Sequence, residues 1–123
     1  MESIKYVKTL REQVLNLINE LSFVIKNDGG VLANLGLFFE HYPAHELMQS
    51  VIQYVLPWEY QIKTRNDDFF YKNKKIFGEL PEEHINFFSD LWKSPNLDKD
   101  DKQMIWKYFD IFVACAQGHK KMQ

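Results

Sequence analysis

The sequence predicts an all-α fold, a single compact domain of five or six helices packed as an irregular bundle rather than a regular four-helix bundle. Three observations carry that prediction. From Ser3 to Lys26, apolar residues recur at Ile4, Val7, Leu10, Val14, Leu17, Ile18, Leu21, Val24 and Ile25, which is the spacing of one wide helical face. Two later stretches open as helices do, at Pro81-Glu82-Glu83 and at Asp98 followed by Asp100 and Asp101. Between and beyond those openings Ile85, Phe88, Leu91, Trp92, Ile105, Trp106, Phe109, Phe112 and Val113 crowd two segments separated by Ser94-Pro95-Asn96-Leu97-Asp98, the pattern of a tightly packed helical hairpin.

The remaining elements follow in order. Asn27-Asp28-Gly29-Gly30 ends the first helix, because glycine accepts the left-handed conformation that closes many helix C-termini. Positions 7, 10, 14, 17, 21 and 24 also satisfy an a/d heptad, which raises a dimeric coiled coil. Ile18 and Ile25 widen the stripe beyond a two-stranded seam, so an intramolecular bundle is the expectation. Val31 to Tyr42 reads as a nearly all-apolar central helix, with Gly36 allowing a close helix crossing. Pro43 opens a third helix that buries Leu47, Met48, Val51, Ile52 and Val55 and stops at Pro57. In Trp58 to Arg65, apolar Trp58, Tyr60 and Ile62 alternate with Glu59, Gln61 and Lys63 as a strand would, but a lone strand has no partner. That segment is therefore expected to be an irregular connection. Asn66 or Asp67 caps a short helix through Phe69 and Phe70 to Phe77, ended by Gly78; the next runs from Pro81 to Trp92 or Lys93. Asp98 caps the last helix, Gly118 is expected to close it, and residues 118–123 form a flexible tail of a domain that spans 1–123.

At 123 residues the chain has room for one core, burying roughly 65% of the surface that its unfolded form exposes. Ten Phe, six Tyr and three Trp bring on the order of 150–250 Å² of buried surface each, so packing is expected to stabilise the fold with no cofactor, metal or disulfide. The single cysteine, Cys115, sits among Ile111, Phe112, Val113, Ala114 and Ala116 and reads as a small buried hydrophobe of a reducing compartment. No continuous apolar h-region follows Met1, and no stretch approaches the ~20 apolar residues of a membrane span. A soluble, intracellular, cytoplasmic protein with no membrane partner is the expectation. A formal net charge of −2 supplies no global attraction to nucleic acid or anionic lipid.

Motifs for catalysis are incomplete. His45-Glu46 begins like the two-histidine zinc hydrolase helix, but Gln49 stands where the second histidine is needed, and Pro43 breaks the helical register with His41. Asp98, Asp100 and Asp101 start like a calcium loop, yet Lys102 replaces an oxygen ligand, Gln103 the turn glycine and Phe109 the closing glutamate. Ser22, Ser50, Ser89 and Ser94 lie in no nucleophile elbow, and Gly29-Gly30 follows a helix rather than a strand. No catalytic, cofactor-binding or metal-binding residue is assigned, and an enzyme of unknown class ranks third among the readings.

Lys63, Arg65, Lys72, Lys74 and Lys75 interleave with Phe69, Phe70 and Tyr71, so lysines could neutralise phosphates while bases stack on rings. Asp67 and Asp68 interrupt that stretch, and the Phe pair has the spacing of a core anchor. A solvated face over a buried Phe pair is the simpler account. Nucleic-acid binding is thus the second reading.

The run Phe69-Phe70, Ile76-Phe77, then Ile85 to Trp92, then Asp101-Lys102-Gln103-Met104-Ile105-Trp106-Lys107-Tyr108-Phe109 resembles a pattern in short helical proteins of large nucleocytoplasmic double-stranded DNA viruses. There a tryptophan-ended helix leads to an acidic cap and a helix reading Ile-Trp-x-Tyr followed by an aromatic residue or leucine. The resemblance covers residues 67–115, brings no catalytic residues with it, and implies a viral origin as a virion or host-interaction component. With chemistry unassigned and apolar helical surface in excess, the leading expectation is a non-catalytic interaction or assembly module with a protein partner or self-association. Val7, Val14 and Leu21 on the first helix, with Trp58 and Tyr60, are the candidate partner contacts.

Overall fold

A computed structural model of the chain describes residues 2–25, 30–72, 86, 90–95 and 97–122. The architecture is an all-α irregular bundle, with no strand among the described residues. In chain order the elements are α1 (Glu2–Val24), α2 (Val31–His41), α3 (Ala44–Tyr54), a 3₁₀ turn (Leu56–Trp58), α4 (Glu59–Lys63), α5 (Asp68–Lys72) and α6 (Lys99–Lys121), with helical residues 90–93 before α6. The two long helices α1 and α6 pack along one another most extensively, and α2 and α3 lie against α1.

The apolar stripe of α1 decides this arrangement. Val7, Leu10, Val14, Leu17, Ile18 and Leu21 are all buried in one continuous core with Leu32, Leu35 and Phe39 of α2, Leu47, Met48 and Val51 of α3, and Phe109, Phe112 and Ala116 of α6. A stripe wide enough to include Ile18 meets α2 on one side and α6 on the other, which a two-stranded seam cannot do. The helix thus buries these six residues of its stripe within its own chain.

Local chemistry sets the boundaries. Gly30 has φ +83°, a left-handed conformation at the N-cap of α2 that glycine adopts without a Cβ penalty. Tyr42 precedes a proline, which disfavours helical backbone, and it is extended at φ −72°, ψ 132°, ending α2. Pro43 then stands at the N-cap of α3, just outside the helix. The Arg11 guanidinium donates to the carbonyl oxygen of Tyr42, satisfying a helix-end acceptor with a cation at the negative end of the α2 dipole. At α6 the expected acidic cap is present as a reciprocal box. Asp101 N donates to Asp98 Oδ1 at 2.8 Å, and Asp98 N donates to Asp101 Oδ2 at 3.2 Å.

Three expectations change. The 58–65 segment is not an irregular connection: it is a 3₁₀ turn running into α4. Its period-2 alternation was only three apolar residues long, and in the fold Ile62 is buried while Tyr60 faces out, which a helix turn also achieves. Gly36 does not mark a tight crossing, because a Cβ added there would meet Ile18 Cγ2 only at 4.0 Å. Gly118 does not end α6, which continues to Lys121, so described residues 118–121 are helical rather than a loose tail. The glycine lies against α1 instead, where an added Cβ would fall 2.5 Å from Tyr6 Cε1. The helix expected after Asn66 or Asp67 is present as α5 up to Lys72; its end at Gly78, and most of the helix opening at Pro81, lie outside the described residues.

The Gly118 contact gives a test. Gly118→Ala gains about 1 kcal/mol of helix propensity but drives a methyl into the Tyr6 ring, and overpacking costs about 1–3 kcal/mol. We expect a net loss in the wild-type background. In a Tyr6→Ala background the same substitution should stabilise by about 1 kcal/mol, measured by chemical denaturation; the same sign in both backgrounds would remove Tyr6 as the reason for the glycine.

Candidate interaction surface

Each residue expected to contact a partner has a definite place. Val7, Val14 and Leu21 are 2%, 1% and 1% exposed, so the face expected to form a seam is core, filled by α2 and α6. Trp58 is partly buried, its ring 6.0 Å from that of Phe69, whereas Tyr60 on α4 is 71% exposed.

The basic aromatic stretch is divided by the fold. Phe69 and Phe70 are buried among Trp92, Trp106 and Phe109, with Phe70 stacked on Trp92 at 4.0 Å, so neither ring is a platform for bases. Arg65, the one non-glycine residue with positive φ (56°) among those described, donates from both terminal nitrogens to Asp110 at 2.8 and 2.7 Å. Its guanidinium also donates to the Ile62 carbonyl at 3.0 Å and lies over the Trp106 ring at 5.6 Å. The Asp110 hydrogen bonds, opposed by burial, hold the Arg65 guanidinium above its ordinary range. Arg65 is therefore a clamp between the α4–α5 corner and α6. Lys72 pairs with Asp68 at 3.4 Å, Lys63 is exposed on α4, and Lys74 and Lys75 lie outside the described residues.

No group of three or more His, Cys, Asp or Glu residues among those described is arranged to hold a metal ion. His45 is exposed, and His41 Nδ1 lies 3.0 Å from the Leu37 carbonyl oxygen one turn back. No helix among the described residues is long and apolar enough to cross a membrane.

The feature that sequence reasoning missed is an open groove of about 510 Å³ between α1 and α2. Leu15, Ile18, Ile25 and Leu32 give it an apolar lining; Asn19, Ser22 and Glu40 add polar groups. Gly36 lines it too, and its missing side chain keeps the channel open beside Ile18. Two large exposed apolar side chains follow lining residues by one helical turn. Phe23 lies one turn beyond Asn19 and is 68% exposed; Leu37 lies one turn beyond Ala33 and is 58% exposed. A second groove of about 480 Å³ runs on the other side of α1, lined by Glu20 and by Met104, Tyr108 and Ile111 of α6. Partial burial, and then the Glu20 carboxylate, push the Tyr108 phenol above its ordinary range. Phe23 and Leu37 were legible as apolar residues, but both stand off the main stripes of their helices, and period alone does not say which side of a stripe stays uncovered.

Cys115 is buried, and burial pushes its thiol up from the ordinary range. A thiol raised in the folded state leaves the unfolded chain to ionise first. Its contribution to stability is then complete below the unfolded value of about 8.5 and declines as pH rises through the folded one. We expect stability to fall on the alkaline side less steeply in Cys115→Ala, and native protein at pH 8 to resist iodoacetamide until denaturant is added. Full alkylation of native protein would place the thiol at the surface.

The fold and this groove define a helical bundle with a channel along α1 that is open among the described residues. Compared with known proteins, the chain matches no family model, no curated protein and no solved structure.

Proposed function

We propose that the chain is a non-catalytic protein-interaction module whose α1/α2 groove receives an amphipathic helix of a protein partner. The observation that carries this reading is the pairing of an apolar channel with two exposed large side chains, Phe23 and Leu37, one helical turn beyond its lining residues. The core takes up Val7, Leu10, Val14, Leu17, Ile18 and Leu21 of the α1 stripe, whereas Phe23 and Leu37 are largely exposed, and exposed apolar surface is characteristic of docking sites. A helix is the fitting occupant because two helices already form the channel walls, and a third can set an i, i+3, i+4 row between them while Asn19, Ser22 and Glu40 meet its polar flank. The resemblance of residues 67–115 to short viral proteins adds the proposal that the assembly is viral, in the virion or at a host protein.

Leu37→Asp changes an exposed position, so that variant should keep the wild-type circular dichroism and melting, and Phe23→Asp is assayed beside it below its own melting temperature. We expect each to weaken partner binding at least tenfold, about 1.4 kcal/mol. A photo-crosslinker at Leu37 should capture an amphipathic helical segment that one at Tyr60 does not. Equal capture from Tyr60 would move the docking face to α4; a complex that disappears with nuclease would restore nucleic acid as the partner. Association of the pure protein that the Asp variants abolish would identify the occupant as a second copy.

A further inference from the structure

We draw no further inference here: the strongest candidate, the second groove between α1 and α6 lined by Glu20, Met104, Tyr108 and Ile111, is an open face, and nothing in the structure shows what covers it.

Discussion

Trp106→Ala should cost about 3–5 kcal/mol, the range for deleting a large buried ring when its surroundings collapse only partly. The ring is 3% exposed and touches three others, with centroids 4.9 Å from Phe70, 5.3 Å from Trp92 and 6.2 Å from Phe69. It also underlies the Arg65 guanidinium, so the substitution removes the surface on which the Arg65–Asp110 clamp rests. Against a typical domain stability of about 5–15 kcal/mol the loss is a large fraction. With a urea slope of about 2 kcal/mol per molar, the unfolding midpoint should fall by about 2 M. An unchanged midpoint would show that the ring is not a core element.

Phe69→Ala should be comparably costly, about 3–5 kcal/mol, because its ring is 0% exposed and joins α5 to the 3₁₀ turn and to α6. Its centroid lies 6.0 Å from Trp58, 4.9 Å from Phe70 and 5.1 Å from Phe109. Phe69 and Phe70 are the buried side chains of α5 and tie its described residues to the core. Combined with Trp106→Ala the effects should fall short of additivity by about 0.5–3 kcal/mol, since each change opens space beside the other. Full additivity would argue that the rings stabilise the fold independently. The same experiment separates a core role from base stacking: a stacking residue would leave the melting curve in place and lower affinity for single strands.

The Arg65–Asp110 pair is a weaker element despite its ideal geometry. Its side chains are 33% and 47% exposed, so solvent screens the attraction, and such pairs contribute roughly 0.2–1 kcal/mol. Burial of Phe69, Phe70 and Trp106 therefore holds the α5 corner, while the clamp fixes its direction.

Helix existence was legible because it rests on local physics. The α1 stripe, the proline and glycine boundaries around α2 and α3, and the Asp98–Asp101 box are all determined by residues within a turn or two of one another. The Trp92–Trp106 contact was legible as well, since the short connection leaves the two rings few other places to go. Long-range packing supplied what the sequence left open. Period analysis showed that α1 had a face to bury but not that α2 and α6 would bury it, so Val7, Val14 and Leu21 became core. It showed a basic residue at 65 but not its carboxylate at 110, forty-five positions away. Gly118 was a plausible helix end by composition, and only the approach of Tyr6 explains a glycine in the last turns of α6. By itself, then, the sequence determined the all-α class and most helix boundaries, because hydrogen bonds and side-chain caps there act within a few residues. Tertiary structure alone decided which apolar faces closed and which stayed open, since burial depends on neighbours brought from distant parts of the chain; the α1/α2 groove is the consequence.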